Sequence, residues 1–223
     1  MKAMILAAGR GARMAPLTDN TPKPLLKVGG KALIVWHIER LVAAGFKEIV
    51  INHSYLGQQV EDALGDGQQW GAQIVYSPEA VALETAGGIA NALSLLSHNS
   101  FLVVNGDVFC DIDFLPLIQA LHQPKLAHLV MVNNPLQHPQ GDFELQSGKL
   151  KSNGENQLTF SGVGVYSPAL FQTVVRGEAA RLAPLLKAAM KDGLVTGEHH
   201  QGVWHDIGTP GRLHQIDMQL SEE

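Results

Sequence analysis

Met4-Ile5-Leu6-Ala7-Ala8-Gly9-Arg10-Gly11-Ala12-Arg13-Met14 is an apolar run that breaks on glycine, and it reads as a buried strand emptying into a loop. Two later runs repeat its first half: Glu48-Ile49-Val50-Ile51 and Phe101-Leu102-Val103-Val104 are short, rich in β-branched residues and bounded by polar or turn residues. Helical spacing fills the intervals. Leu33, Ile34, Trp36, Ile38, Leu41 and Val42 share one face that ends near Gly45; Tyr55, Leu56, Val60, Ala63 and Leu64 share a second, ended by Gly65. Ile89, Ala92, Leu93 and Leu96 share a third, after Gly87-Gly88. Continuous apolar strands alternating with helices predict an α/β fold whose mostly parallel sheet is flanked by helices, with a ligand at the carboxyl ends of the strands.

Past residue 125 the pattern changes. Segments 126–132, 143–146 and 158–166 read as strands, with Ser147-Gly148-Lys149 a turn between two of them. Helices are predicted at 179–191 and 210–220, the second after Gly208-Thr209-Pro210. With no internal repeat, linker or hexapeptide run, the expectation is one domain over 1–223 and no appended β-helix.

Composition narrows the function classes. At 223 residues and 45% hydrophobic content the chain can bury a core of its own. Lys and Arg number 16 against 21 Asp and Glu, a net charge of −5, which offers no broad basic surface and argues against nucleic acid as a partner. The single Cys110 excludes an intramolecular disulfide and a cysteine zinc cluster, and fits a reducing compartment. The run Ala3 to Ala8 is too short for a secretory leader, and no stretch reaches the roughly 20 apolar residues of a membrane span. A cytoplasmic protein with no membrane association is expected, and no protein partner is implied. Any anion it binds must be held locally.

Local charge follows the first strand: Arg10 and Arg13 sit among the glycines, and Pro22-Lys23-Pro24 comes soon after. Glycines let backbone N–H groups approach a phosphate, and flanking prolines restrict the backbone that aims Lys23. The dinucleotide fingerprint fails, because Met14 stands where its third glycine belongs and no acidic residue follows about 20 positions on, and no Gly-Lys-Ser/Thr completes a P-loop. The plain alternative is a glycine turn with solvated arginines. Asn105-Gly106-Asp107 is either a turn or a carboxylate at the end of a central strand, the latter suited to Mg²⁺ with substrate phosphates. Leu83-Glu84-Thr85-Ala86-Gly87-Gly88-Ile89 reads as a helix start capped by Thr85, or as part of a binding pocket. Glu79 and Glu84 flank it, and a carboxylate there accepts from N3–H of uracil or thymine, or from the N1–H and amine of guanine, and suits cytosine less well. The ten histidines show no metalloprotease spacing; His37, His53 and His122 stand singly and read as packing residues.

Taken together, Leu-Ala-Ala-Gly-x-Gly-x-Arg-Met at 6–14, Pro-Leu-Thr at 16–18, Pro-Lys-Pro-Leu-Leu at 22–26 and Val-Gly-Gly-Lys at 28–31 resemble the signature of sugar-1-phosphate nucleotidyltransferases. Trp204-His205-Asp206-Ile207-Gly208-Thr209-Pro210 resembles that family's Trp-x-Asp-Ile-Gly-Thr-Pro segment. The resemblance implies a Rossmann-like nucleotide-diphospho-sugar transferase fold, with a nucleotide-binding half at 1–125 and a smaller antiparallel sugar-binding half at 126–223. It implies that Ala8, Gly9, Gly11 and Ala12 wrap a nucleoside triphosphate, that Arg13 orients the departing pyrophosphate and that Lys23 contacts phosphate charge. Glu79, Thr85 and Gly88 would line the nucleoside pocket. Asp107 and Asp206 would hold Mg²⁺, the implied cofactor. Asn105, Gly141, Asn153 and Glu155 would meet the sugar, although the family's Glu-Lys-Pro reads Glu155-Asn156-Gln157 here, without the lysine. The short bacterial members imply UTP and N-acetylmuramic acid 1-phosphate as substrates. Another sugar 1-phosphate with UTP, dTTP or GTP, or a non-catalytic nucleotide-binding regulator, are the alternatives.

Overall fold

The computed structural model describes residues 1–96 and 98–221. In chain order its elements are β1 (Ala3–Leu6), β2 (Lys27–Val28), β3 (Lys31–Ala32), α1 (Leu33–Ala43), β4 (Glu48–His53), α2 (Gly57–Leu64), β5 (Gln73–Pro78), α3 (Glu84–Ala92), β6 (Phe101–Asn105) and β7 (Val108–Cys110). There follow β8 (Ala127–Val132), β9 (Phe143–Gln146), β10 (Lys149–Lys151), β11 (Gln157–Tyr166), α4 (Leu182–Lys191), β12 (Val195–His200), β13 (Trp204–Asp206) and α5 (Pro210–Ser221).

Nine strands form one sheet in the order β5-β4-β1-β6-β11-β8-β12-β10-β9. The four on the β5 side run parallel, β11 enters antiparallel to both β6 and β8, and β12 returns parallel to β8. The strands β9 and β10 make an antiparallel hairpin at the far edge. This is an α/β architecture with a mixed central sheet flanked by helices: the alternating pattern predicts its parallel part, and the family resemblance implies its antiparallel part.

The first strand shows why its sequence is apolar throughout. Ala3 and Ile5 pack under Ile34, Ile38 and Leu41 of α1 and Val60 and Leu64 of α2, whereas Met4 points the other way, toward Ala86 and Ile89 of α3 and Leu186 of α4. Successive side chains of a strand face opposite layers, and here both layers are covered. Each fully buried Ile, Leu, Val or Met side chain among them is worth about 1.5–3 kcal/mol. A smaller cluster of Met14, Val28, Leu33, Ile207 and Ile216 clamps the β2–β3 hairpin and α5 beside the first loop.

Three helix starts depart from expectation. Helix α2 begins at Gly57, because Leu56 takes a left-handed φ of 53°. Gly87 and Gly88 lie inside α3, and Thr85 does not cap it: the amides of Ala86 and Gly87 donate to the carbonyl of Ala180, 2.9 and 3.1 Å away, while Ala180 donates to Leu83. That crossing chain explains Gly87, whose Cβ would come within 2.4 Å of the Glu178 carbonyl. It also explains why α4 starts at Leu182 and not at 179, since the residues before it serve α3.

Candidate active site

Carboxyl ends of β1, β4 and β6 and the chain after β5 frame a cavity of about 460 Å³. The chain leaves β1 at Leu6 and curls back over it. Gly11 permits the curl with φ +67° and lies so close to Thr18 and Lys23 that a Cβ would touch both at 3.2 Å. Thr18 Oγ1 donates to the Gly11 carbonyl at 2.9 Å and closes the turn. Of the residues expected on the nucleotide side, Ala8, Gly9, Gly11, Ala12, Arg13, Lys23, Glu79 and Thr85 line the cavity, as do Asn105 and Asp107.

Lys23 and Asp107 meet on the wall of this cavity. Lys23 Nζ donates to Asp107 Oδ2 at 2.7 Å across 84 positions of sequence. The lysine side chain is 10% exposed and the aspartate 38%, so the carboxylate opens to the cavity while the cation stays largely covered. Asp107 reaches this position because the Gly106 amide bonds back to the Leu6 carbonyl at 2.9 Å; a Cβ on Gly106 would meet that carbonyl at 2.8 Å.

The cavity wall around Asn52 and Glu79 is built on a buried chain of hydrogen bonds. Asn52, at the end of β4, accepts from the Ala7 amide at 2.9 Å and donates to Glu79 Oε1 at 2.7 Å. Glu79 Oε2 accepts from the Leu83 amide at 2.8 Å. The Glu79 carboxylate is thus fixed at both oxygens and still borders the cavity. Glu84, the first residue of α3, sits on the rim with a left-handed φ of 61°, a conformation costing about 1–3 kcal/mol and common at functional sites. Replacing Asn52 with alanine strands the Ala7 amide and one Glu79 oxygen. The expected loss is about 2 kcal/mol, a fall in Tm of about 4–8 °C, which thermal melting measures.

Several expected residues lie elsewhere. Arg10 turns away from the cavity: its guanidinium stacks 3.6 Å over the Tyr55 ring and donates to the Thr18 carbonyl at 3.0 Å, so it braces the loop and does not supply charge inside it. Gly88 sits behind Asn52 and Glu79, where a Cβ would come within 2.7 Å of Glu79 Oε1. Gly141 turns against Asn134 and Gln157, and Asn153 and Glu155 are exposed in the loop after β10; none of the three lines the cavity. Asp206 does not line it either. It pairs with Val108 across the β7–β13 ribbon, and the next amide, Ile207, donates to the Asp107 carbonyl at 2.9 Å. The two aspartates are therefore neighbours in space, and Asp206 Oδ2 is held by Arg212 Nη1 at 2.7 Å.

Burial pushes the Cys110 thiol up to about 11, so it stays protonated. His37, inside α1, is driven down to about 4 by burial, against the pull of the Val108 backbone, and packs as a neutral ring. Among the described residues no three His, Cys, Asp or Glu side chains cluster as a metal cage. None of their helices is long and apolar enough to cross a membrane.

The nucleotidyl transferase family pattern matches residues 2–143, which supply every residue lining this cavity except Gly208. The chain belongs to that family. It is 57% identical over 220 residues to the N-acetylmuramate alpha-1-phosphate uridylyltransferase of Neisseria meningitidis serogroup B, covering 96% of this chain and 95% of that one. The enzyme of the same name from Caulobacter vibrioides is 35% identical, with 99% and 97% covered. The mannose-1-phosphate guanylyltransferase catalytic subunit beta of Xenopus tropicalis is 32% identical over 94% of this chain, which spans 62% of its length. In fold, a Bacillus anthracis protein described as a glucose-1-phosphate thymidylyltransferase superposes with a TM-score of 0.88 at 22% identity, covering 100% and 96% of the two chains. Two residues outside the expected set bear on this geometry, Asn52 in the cavity wall and Arg212 beside it. Asn52 is a polar residue at the end of an apolar strand, a signal visible in Ile51-Asn52-His53; Arg212 is a cation in the first turn of α5, where the helix dipole disfavours it.

Proposed function

We propose that this nucleotidyl transferase moves UMP from UTP to N-acetylmuramic acid α-1-phosphate, releasing pyrophosphate and forming UDP-N-acetylmuramic acid. The carrying observation is the Lys23–Asp107 pair set at the end of β6 beside the glycine loop, within a chain 57% identical along nearly its full length to an enzyme named for that reaction. An oxygen of the sugar phosphate attacks the α-phosphorus in line, and the bond to the β-phosphate bridge breaks. Positioning and charge cancellation carry most of such a barrier, and a phosphate monoester, already ionised, needs no general base. Backbone amides of Gly9 to Arg13 hold the triphosphate, Arg13 balances the departing pyrophosphate, and Lys23 steadies the α-phosphate. Glu79, fixed by Asn52 and the Leu83 amide, presents an acceptor to the N3–H of uracil.

Asp107 and Asp206 are our assignment for a divalent cation, Mg²⁺. The donor set fits: two hard carboxylates, Asp107 in the turn before β7 and Asp206 on the strand paired with β7, with too few further ligands among the described residues for a closed cage, suit an ion that completes its shell with phosphates and water. When bound, Mg²⁺ supplies positive charge to the α-phosphate and the leaving group. We read residues 1–223 as one domain, supported by a sheet in which β11 inserts between β6 and β8, and its setting as the cytoplasm, in cell-wall recycling. A sugar contact through Gly141, Asn153 or Glu155 requires the substrate to extend past the cavity.

A matrix of UTP, dTTP, GTP and CTP against N-acetylmuramic acid, glucose and mannose 1-phosphates, read by pyrophosphate release, tests the assignment. The expected result is a kcat/KM for UTP with N-acetylmuramic acid 1-phosphate at least about tenfold above any other pair, which corresponds to about 1.4 kcal/mol. Preference for GTP with mannose 1-phosphate overturns it.

A further inference from the structure

Each carboxylate of the proposed metal pair already carries a cation of the protein's own. Lys23 Nζ lies 2.7 Å from Asp107 Oδ2, and Arg212 Nη1 lies 2.7 Å from Asp206 Oδ2. Arg212 holds its partner twice, since the same nitrogen donates to the Asp206 carbonyl at 2.8 Å, while its Nε reaches Thr209 Oγ1 at 3.4 Å. These contacts fix the direction of the Asp206 side chain. The first turn of a helix favours anions, so an arginine there works against the dipole; its pairing with Asp206 is what offsets that cost. The Arg212 side chain is 23% exposed and that of Asp206 29%, which keeps the interaction less screened than a surface pair.

Two carboxylates and two resident cations sum to about zero net charge. A bare divalent ion approaching such a pair must displace ammonium and guanidinium groups with nowhere else to go. A metal–nucleotide complex brings phosphate oxygens that receive them. Gly208, on the cavity wall, leaves space for this exchange: a Cβ there would sit 2.9 Å from Arg212 Nη2 and 3.2 Å from Arg13 Nη2, so the two guanidinium groups converge on one spot.

We propose that Arg212, in concert with Lys23, is a positioning residue that keeps the Asp107–Asp206 pair charge-balanced in the free enzyme, so that the divalent ion enters only together with the nucleotide. This rests on the assignment of those aspartates to the metal. Arg212 aims Asp206 while the site is empty and yields it when phosphates arrive.

The test is Mn²⁺ titration of the nucleotide-free full-length protein, followed by the electron paramagnetic resonance signal of unbound Mn²⁺. Arg212→Gln, which keeps a hydrogen-bond donor but removes the charge, is expected to bind Mn²⁺ about tenfold more tightly than the wild type, in line with the one-unit or larger effect of a single nearby charge. Arg212→Lys should restore weak binding, and adding Asp206→Asn to Arg212→Gln should erase the gain. A purely structural arginine would lower Tm in both single variants and leave the order of Mn²⁺ affinities unchanged. Lys23→Gln carries the same test on Asp107 if Arg212→Gln does not fold. Wild-type-like Mn²⁺ binding in the charge-removing variant, with Asp206→Asn still costing turnover, overturns the role of Arg212 and leaves the metal assignment standing. Full turnover in Asp206→Asn removes the metal assignment and this inference with it.

Discussion

Asp107→Asn is expected to lower kcat/KM by about 10³-fold while the protein stays folded, because it weakens the hold on the divalent cation assigned to this carboxylate, which would supply positive charge where negative charge develops in the transition state. The substitution is nearly isosteric, and the backbone that places the residue depends on Gly106 and Leu6, not on the carboxylate. Its structural cost comes from Lys23, which loses its partner while 10% exposed. Asp107 itself is partly open to solvent, so that cost is about 1 kcal/mol, a fall in Tm of about 2–4 °C. Steady-state kinetics beside a melting curve separate the two effects. A variant with wild-type turnover contradicts the placement of Asp107 at the reacting phosphate.

Lys23→Ala is expected to cost about 10²–10³-fold in kcat, with a rise in KM for the triphosphate. The lysine is aimed by prolines on both sides, and its Cβ packs against Gly11, so its ammonium group is preset before substrate binds. Arginine should restore little. A planar fork does not fit a path that brings a single ammonium 2.7 Å from one carboxylate oxygen. Equal losses in Lys23→Ala and Lys23→Arg, measured by single-turnover pyrophosphate release, support positioning of a point charge; full recovery in the arginine variant contradicts it.

How far the sequence carried this fold depends on whether the signal was local. Strands such as Met4-Ile5-Leu6 announced themselves, because burial on both faces makes every side chain apolar. The insertion of β11 between β6 and β8 left no local trace, since strand order is a matter of long-range packing. Helix starts failed for the same reason: α3 takes its cap from the Ala180 carbonyl, almost a hundred residues downstream, so Thr85 looked like a cap and was not one. At the site, the loop from Leu6 to Lys23 was legible because glycine and proline restrict the backbone in ways that sequence displays. Arg10 was misjudged because its true partner, the Tyr55 ring, comes from another element. The same holds for Arg212, whose meaning depends on the folded-back Asp206, and for Asn52, which acts through Ala7 and Glu79.

The central claim, transfer of a nucleotidyl group from UTP to a sugar 1-phosphate in the Lys23–Asp107 cavity, is tested most directly by ³¹P nuclear magnetic resonance of a reaction containing UTP, Mg²⁺ and N-acetylmuramic acid α-1-phosphate. The prediction is loss of the sugar-phosphate and triphosphate signals, with a nucleotide-sugar diphosphate and pyrophosphate appearing in equal amounts. UTP consumed to UDP and inorganic phosphate, or both substrates left unchanged, would contradict it.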